Sequence, residues 1–598
     1  MTTSTKHSPS RLIASRLIYL RPTALALLVL ATAIMARAQD PTDIRVTDAA
    51  SRAILAGDFD VADYPGGQAI DVPADLAATA LGTLSPDSLK RLLLELDAFG
   101  NRNTGSDTTS ATFGIGAARR WAHDRLARLV PGSGGRLQVG YLQFDRLTCD
   151  VTQHRNVLAV LPGAGPHADE VVLVEGHIDS RCAERCDVDC PADGMEDNAS
   201  GTALVMELAR VMSRYRWDRT IAFMLTTGEE QGLVGATAMA DYAVATGMKL
   251  RAVLNNDVIG GVICGRTASP PGCPGLNDID SVNVRLYSAT SARDLARYTQ
   301  LLYERDMAPL QAVPSRIQIQ SAEDRTGRGG DHIPFRVRGI PAIRFTSANE
   351  HGDADALAPG YDDRQHTSDD VLGLDTDGDG AIDSFFVDFR YLYRNAAINA
   401  NALGHLAAAP AAPTRVQGDV LDFRVAIAVE DPLGRDSFLL AVRDRNQRAW
   451  DTLLRVGAVD TIELGVARWN LSVAYLADDG RLSQFVPGSS VRVRVSGVGE
   501  VPEPLPAVEL LPNYPNPFDD ATTLRVLVNE APAGSPRGEL AVYDAGGREL
   551  ARLPVALTPG LQEVLYEFSH HDYVPGTYSY SLLVDGRRVA TQQMVYAY

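Results

Sequence analysis

The sequence has no excess of basic residues, and it has only one long hydrophobic run. Its 598 residues include 56 lysines and arginines against 75 aspartates and glutamates, so the formal net charge is −19. Nucleic acids and anionic membranes attract positive protein surfaces, so we expect neither to be a partner of this chain. Beyond the N-terminal run, no segment is apolar over a length that spans a bilayer, so we also expect no transmembrane anchor.

The single hydrophobic run lies near the N-terminus and predicts export. Basic residues precede the apolar stretch at 24–30, and Ala36-Arg37-Ala38 matches the small-x-small pattern of a cleavage site. Residues 1–38 are therefore predicted to be a signal peptide, with mature protein beginning near Gln39. A membrane anchor is the alternative reading, but the run is short for a spanning helix.

Cysteine is also scarce, with six residues, all between positions 149 and 273. An even count in an exported chain favours disulfides. Cys264 and Cys273 flank a turn-rich segment and are predicted to pair with each other. The other four are expected to hold a loop together in an undetermined pairing: Cys149, Cys182, Cys186 and Cys190. A metal site formed by the last three is the alternative, although their spacing lacks a CxxC pair.

The length predicts several domains, because a single core of this size is rare. Apolar strands are predicted at 171–176, 220–227 and 251–255, and a helix at 199–215 lies between the first two. This alternation indicates parallel βαβ units, whose functional sites form beyond the carboxyl ends of the strands. We therefore predict an α/β domain with a mixed, mostly parallel sheet flanked by helices.

Residues that can bind metal ions lie at or near the ends of these strands. Two histidines and three carboxylates suit a pair of zinc ions, in which one carboxylate bridges the two ions. The five candidate ligands are His177, Asp197, Glu230, Asp257 and His366. Glu229 adjoins a ligand without being one, as expected of a general base. Asp179 is expected to orient the ring of His177.

Six segments resemble a known family, and the resemblance covers roughly residues 111–408. They are GHIDS (176–180), EDNASGT (196–202), GEEQGLVGA (228–236), NNDVIG (255–260), GGDHIPF (329–335) and QHTSDD (365–370). These segments resemble the bacterial leucyl aminopeptidases, a di-zinc exopeptidase group related to glutamate carboxypeptidase and the transferrin-receptor ectodomain. The resemblance implies a phosphorylase/hydrolase-like zinc peptidase domain at 111–409.

The resemblance also implies roles for individual residues. Asp197 matches the bridging ligand, which in the family often precedes a cis peptide bond, and Glu229 matches the general base. The four other ligands match by position: His177, Glu230, Asp257 and His366. The implied activity is that of a zinc-dependent aminopeptidase, in which a metal-bridged hydroxide releases N-terminal residues from peptide substrates.

Several alternatives stay open. His351 competes with His366 as the last ligand, although the residues after His366 fit the family's HT-x-x-D pattern. His332 is expected either to contact substrate or to be a hydrogen-bonded loop histidine. Basic side chains at Arg325, Arg328 and Arg344 could bind a terminal carboxylate, as a metallocarboxypeptidase or dipeptidase requires. A single-zinc glutaminyl cyclase-like acyltransferase and a non-catalytic receptor-like binding protein are further alternatives.

An acidic stretch after the last ligand resembles a calcium-binding loop. Aspartates alternate with other residues, a glycine stands at position six, and position twelve is Phe386 instead of the usual bidentate glutamate. The candidate calcium ligands are Asp375, Asp377, Asp379 and Asp383. Bound calcium and a plain acidic turn both remain open.

The remaining segments predict one helical region and two β-sandwiches. Residues 39–110 are expected to be partly helical, with a helix from Pro86 that Ser85 caps. Short alternating strands predict a fibronectin type III-like sandwich at 414–500. Residues 503–598 contain NYPNPF (513–518) and GTYSYSL (576–582), which resemble the C-terminal sorting domain of type IX secretion cargo. That resemblance implies export through the periplasm and outer membrane by the type IX machinery, and a secreted or cell-surface protein; an ordinary adhesive sandwich is the alternative.

Overall fold

The computed structural model describes residues 43–263, 278–325, 328–348, 364–421, 424–493, 508–518, 521–529, 536–544, 548–567 and 576–596. The predicted signal peptide, the Cys264–Cys273 pair and His351 lie outside these residues. The chain divides into two compact units. The first contains the chain up to Val416 together with Val429–Ala458 and Ser472–Pro487, and the second contains Gln417–Ala428, Val459–Leu471 and Gly488–Tyr598.

A nine-stranded sheet of order β1-β2-β3-β5-β4-β6-β9-β7-β8 is the centre of the first unit. Its strands are β1 (Ile44–Val46), β2 (Gln138–Thr148), β3 (Val151–Leu161), β4 (Glu170–His177), β5 (Thr220–Thr226), β6 (Lys249–Asn256), β7 (Asn283–Ser288), β8 (Arg316–Ile319) and β9 (Ala342–Ser347). The central strand β4 pairs in parallel with β5 and β6, and β6 pairs in parallel with β9. Antiparallel pairings connect β2 to β3, β3 to β5 and β7 to β9. The predicted mixed sheet is therefore confirmed.

Nine α-helices accompany this sheet among the described residues. They are α1 (Ala49–Ala56), α2 (Leu76–Thr83), α3 (Pro86–Asp97), α4 (Gly114–Ala127), α5 (Ser200–Met212), α6 (Val234–Thr246), α7 (Arg293–Leu302), α8 (His332–Val337) and α9 (Phe389–Ala408). Helix α3 begins at the predicted proline, and the Ser85 side chain accepts the main-chain N–H of Ser88. The Asp388 side chain caps α9 by accepting the N–H groups of Arg390 and Tyr391.

The core lies on both faces of the sheet because alternate residues of each strand point to opposite sides. On β4, Val172 and Val174 join one apolar cluster, while Val171 and Leu173 join the other. All four side chains are fully buried, and each such burial stabilises the fold by about 1.5–3 kcal/mol. Central strands that are buried on both faces need a continuous apolar run, which is why these segments could be recognised in the sequence.

Smaller antiparallel sheets follow the central domain. Their strands are β10 (Gly373–Leu374), β11 (Ser384–Phe385), β12 (Arg415–Leu421), β13 (Arg424–Glu430), β14 (Phe438–Asp444), β15 (Thr452–Val456), β16 (Val459–Glu463), β17 (Ala467–Tyr475), β18 (Val486–Val493), β19 (Val508–Tyr514), β20 (Ala521–Val528), β21 (Gly538–Tyr543), β22 (Glu549–Val555), β23 (Gly560–Glu567), β24 (Gly576–Val584) and β25 (Arg587–Tyr596). The last two sheets have the orders β19-β20-β23 and β22-β21-β24-β25 and share an apolar core of their own. Within the described residues, no helix is long and apolar enough to cross a membrane.

Candidate metal centre

The carboxyl ends of three adjacent parallel strands carry most of the site. Strand β4 ends at His177, and its neighbour β6 ends one residue before Asp257. On the other side of β4, strand β5 leads through a short turn to Glu229 and Glu230. Since β4 lies between β5 and β6, the topology of the sheet alone brings these side chains to one edge.

Asp197 enters the site from the turn that precedes α5, through a cis peptide bond to Asn198. The carboxylate of Asp370 accepts the main-chain N–H of Glu196 at 2.8 Å and that of Asp197 at 3.0 Å. The Asn198 side chain bridges to β6 by donating to the Asn256 carbonyl at 2.8 Å. These contacts fix the position of Asp197 above the ends of β4 and β6.

The two oxygens of Asp197 face two different histidines. Oδ1 lies 3.0 Å from Nε2 of His177, and Oδ2 lies 2.9 Å from Nε2 of His366. Asp257 Oδ1 lies 3.4 Å from Nε2 of His177, and Glu230 Oε2 lies 3.2 Å from Nε2 of His366. The structure therefore brings all five candidate ligands together as two triads that share Asp197.

Both triads offer the types of ligand that zinc prefers. The potential ligand atoms of each triad lie within 4.8 Å of one another. Nε2 of His177, Oδ1 of Asp257 and Oε1 of Glu230 are buried without a hydrogen-bond partner among the described residues. Buried polar atoms are normally paired, so orphan atoms within these two triads fit sites for cations. Nitrogen and carboxylate donors in this mixture suit zinc.

Asp179 organises the ring of His177 and the turn that carries the glutamates. Nδ1 of His177 lies 3.0 Å from the main-chain carbonyl of Asp179, closer than the 3.7 Å to its carboxylate. The predicted orientation of the ring therefore comes from the carbonyl. The Asp179 carboxylate instead accepts the N–H groups of Glu229 and Glu230 at 3.4 and 3.3 Å, and the Thr104 hydroxyl at 3.2 Å.

Glu229 is half-buried beside the two triads and lines the same cavity. Burial raises the pKa of its carboxyl well above the usual value; the charges of Asp257 and Glu230 add to the rise, and that of His177 opposes it. A carboxyl with a raised pKa is a stronger proton acceptor when ionised, which suits a general base.

Arg344 on β9 is a buried counter-ion, and it is not available to a substrate's carboxylate. Its guanidinium lies 3.0 Å from Oδ2 of Asp257 and 3.0 Å from Oδ1 of Asp324. The paired arginines, Arg344 before Arg325, hold the pKa of Asp324 below its usual value, although burial opposes them. The alternative role of Arg344 in binding a terminal carboxylate is therefore wrong in this structure.

Two disulfides hold the loop between His177 and Asp197. They join Cys149 to Cys186 and Cys182 to Cys190, so these cysteines form no metal site. Disulfide pairing of this loop is confirmed. Arg181, in the same loop, donates to Glu230 Oε2 at 2.7 Å and lies 2.7 Å from Nδ1 of His366.

Four of the five candidate ligands line a cavity of about 250 Å³, and basic residues form much of its rim. These ligands are Asp197, Glu230, Asp257 and His366. Four arginines contribute to the lining: Arg181, Arg185, Arg325 and Arg328. His332 does not reach this space. It is fully buried at the start of α8, and its Nε2 lies 3.0 Å from the Glu323 carbonyl. The expectation of a substrate contact is therefore wrong, because a neighbouring carbonyl holds the ring in the interior.

The acidic loop is exposed and lies apart from this cavity. Oxygens of Asp375, Asp377 and Asp383 lie within 4.8 Å of one another. Asp379 accepts the N–H of Ala381, two residues later. Calcium binding at this loop stays a prediction.

Several residues that shape the site escaped sequence reasoning. Gln365 donates to Oδ2 of Asp197 at 2.6 Å, and the buried Arg102 donates to the carbonyls of Ile178 and Gly194. Gln365 and Asp370 both lie in the QHTSDD segment, whose clustering of polar residues was a usable signal. Arg102 and Thr104 precede β4, the first strand that carries a candidate ligand, by more than 60 residues, so nothing local in the sequence linked them to the site.

Three comparisons with known proteins give similar results. A family model described as peptidase family M28 matches residues 156–386. A probable zinc metalloprotease of Leptosphaeria maculans is 31% identical over 409 residues, covering 65% of this chain and 90% of that protein. A second probable zinc metalloprotease, from Pyricularia oryzae, is 34% identical over 357 residues, covering 56% of this chain and 67% of that protein. Among solved structures, the LapA aminopeptidase of Legionella pneumophila matches with a TM-score of 0.40 and 17% identity, covering 55% of this chain and 74% of that chain.

Proposed function

The chain belongs to peptidase family M28, and from that premise we propose that it is a zinc-dependent exopeptidase that removes residues from the amino termini of peptides. Membership and the donor set together make it a zinc metallopeptidase. The observation that carries the two-ion form of the proposal is the position of Asp197. Its two oxygens face His177 and His366 at 3.0 and 2.9 Å, as a bridging ligand requires.

Each residue of the site has a role in this hydrolysis. His177 and Asp257 would hold one ion, Glu230 and His366 the other, and Asp197 both. Zinc bound by these residues would supply Lewis acidity and would lower the pKa of water from ~15.7 toward ~7, which would favour hydrolysis near neutral pH.

Glu229 accepts the proton of the attacking water and delivers it to the nitrogen of the leaving group. Asp179 keeps the Glu229 main chain in register by accepting its N–H. Arg344 balances the buried charge of Asp257, so this carboxylate stays ionised and able to bind metal.

The amino terminus is the favoured end of the substrate because two of the nearby arginines already serve carboxylates of the protein. Arg181 is paired with Glu230, and Arg325 is paired with Asp324. Zinc would neutralise the carboxylates that bind it, so Glu229 is the lining carboxylate left to attract the cation of a free amine. A volume of about 250 Å³ also fits a chain end better than an extended peptide.

A carboxypeptidase or dipeptidase is the second candidate, and the rim of the cavity supports it. Arg185 and Arg328 line the same space and could receive a substrate's terminal carboxylate. A single-zinc acyltransferase is less well supported, because its chemistry leaves the second triad without a purpose. A receptor-like binding protein has no need of Glu229.

We further propose that the protein is exported and acts outside the cell. The support is the predicted signal peptide at 1–38 together with two disulfides around the metal centre, which persist in oxidising compartments. Type IX secretion through residues 503–598 and a fibronectin-like role for 414–500 rest on sequence resemblance and the β-rich folding of both segments. Calcium at Asp375, Asp377 and Asp383 would stiffen the segment after His366.

The direct test compares leucine p-nitroanilide with its N-acetylated form, using zinc-loaded full-length protein. Cleavage of only the free-amine substrate, lost with a chelator and restored by zinc, is the expected result. Cleavage of an N-blocked dipeptide with a free carboxylate, with no activity on the anilide, would favour the carboxypeptidase. Equal cleavage of both anilides would contradict the recognition of a free amine.

A further inference from the structure

A second cavity, separate from the catalytic one, lies between helix α4 and the β2–β3 hairpin. Its volume is about 450 Å³, and it shares no lining residue with the cavity of the metal centre. Three arginines line it: Arg119 and Arg120 from α4, and Arg155 from β3. Among the described residues of the lining, Asp150 is the one carboxylate beside these three arginines, so the lining has a formal excess of two positive charges.

Arg119 is the most informative of these residues. Its side chain is only 7% exposed, and its Nη1 is buried without a hydrogen-bond partner among the described residues. Burial, followed by the like charge of Arg155, lowers the pKa of Arg119 to about 10. A buried guanidinium nitrogen without a hydrogen bond costs about 1–3 kcal/mol, so an anion that brings oxygens to the Arg119 side chain would offset part of that cost.

The walls of this cavity are held in place independently of any ligand. Arg120 donates to the Thr108 carbonyl at 2.9 Å and to the Ser110 carbonyl, which fixes the segment before α4. At Gly116 an added Cβ would lie 2.3 Å from the Thr108 oxygen, so only glycine allows this close approach. The guanidinium of Arg155 lies 5.6 Å from the Tyr141 ring, which forms another wall.

We propose that this cavity, which we call the arginine pocket, binds a small doubly charged oxyanion through Arg119, Arg120 and Arg155. Arginine's planar fork pairs with phosphate and carboxylate oxygens in the same bidentate way, so both chemistries are suitable. A dianion balances the two excess positive charges of the lining. Inorganic phosphate and succinate represent the two sources of such charge.

The test measures how phosphate changes the thermal unfolding midpoint of the zinc-loaded full-length protein. Wild type is expected to unfold at a temperature that rises with phosphate concentration. The Arg119→Met variant should bind phosphate at least about tenfold more weakly. Arg128→Met, an exposed arginine at the end of α4, is the matched control and should respond like wild type.

Two further comparisons separate the arginine pocket from other causes of a phosphate response. Phosphate can also bind zinc, but that contribution is the same in wild type and in Arg119→Met, so the difference between them reports the arginine pocket. If Arg119→Met does not fold, the exposed Arg155→Met replaces it and should also weaken the response. A response to succinate and not to phosphate would identify a dicarboxylate as the ligand. Equal phosphate and succinate responses in wild type and both pocket variants, or no response in wild type, would overturn the proposal.

Discussion

Asp370 accepts the main-chain N–H of Asp197 through Oδ2 at 3.0 Å, and through Oδ1 it accepts that of Glu196 at 2.8 Å. The residue that would bridge the two metal ions is therefore positioned by a carboxylate 173 positions later in the chain. Asp370 is not one of the five candidate ligands. It fixes the backbone on which the bridging ligand depends.

Replacing Asp370 with Asn should weaken zinc binding, because an amide has one acceptor oxygen for two N–H donors. Loss of such an orienting contact typically costs about 10–100-fold in metal affinity. Zinc affinity by competition with a chromophoric chelator is the measurement. The exposed neighbour Asp369 supplies the control, Asp369→Asn, which should bind zinc like wild type. Equal affinities in both variants would show that Asp370 does not position Asp197.

Replacing Glu229 with Gln should abolish proton transfer while both metal sites stay intact. We expect kcat to fall by about 10²–10⁴-fold with little change in zinc content, because the amide cannot accept a proton. Steady-state kinetics with a free-amine anilide and metal analysis of the same samples test this. Glu184→Gln, at an exposed residue of the neighbouring loop, is the matched control. A Glu229→Gln enzyme with nearly full activity would mean that Glu229 is not the general base.

Arg344 should contribute strongly to the stability of the fold, because it is the counter-ion of two buried carboxylates. Replacing Arg344 with Met leaves the carboxylates of Asp257 and Asp324 buried without the counter-ion that they share. Breaking a buried pair in this way costs about 3–5 kcal/mol of unfolding free energy. Denaturant unfolding of zinc-loaded protein measures the loss, and the exposed Arg316→Met is its control. A second change, Asp324→Asn, should recover part of the loss. A cost as small as that of the control would contradict the counter-ion role.

Glu175 on β4 should make stability depend on pH. Both of its oxygens are buried without a hydrogen-bond partner among the described residues. Burial, together with the charge of Asp331, raises its pKa well above 4.5, while Asn255 opposes the rise. The native carboxyl therefore keeps a proton that the unfolded chain releases. Its contribution is full below pH 4.5 and is lost as pH rises toward the native pKa, at most about 1.4 kcal/mol per pH unit.

The Glu175→Gln variant removes that titration. Its stability relative to wild type should increase as pH rises between about pH 5 and pH 9, and Glu184→Gln should show no such trend. Urea unfolding across that range gives the comparison. A constant difference between Glu175→Gln and wild type would mean that Glu175 is ionised in the native protein.

Much of the central fold could be predicted from the sequence for a clear physical reason. The middle parts of strands β4, β5 and β6 are apolar and buried on both faces, and each strand ends in a polar residue. Parallel neighbours place their carboxyl ends together, which predicted that His177, Glu230 and Asp257 would be close. Helix α3 was equally readable, because serine and proline mark its start.

The contacts that complete the site were harder to predict because they join distant parts of the chain. Thr104 reaches Asp179 across 75 positions, and Arg344 on β9 reaches Asp324, which lies 20 positions earlier in the chain. A buried polar residue can bind a ligand, pair with a counter-ion or hydrogen-bond to a carbonyl. Which of these it does depends on packing, and no local sequence pattern predicts it. His332 is an example. Its sequence motif predicted a position at the site, but its ring is buried in the interior.

The number of zinc ions bound per chain decides between a two-ion centre and a single-ion one. Full-length protein saturated with zinc and then freed of loosely bound metal should retain two zinc ions per chain by elemental analysis. Asp197→Ala, which removes the shared ligand, should reduce that number. One zinc per chain at saturation in the wild type would contradict the two-ion centre and favour single-zinc chemistry.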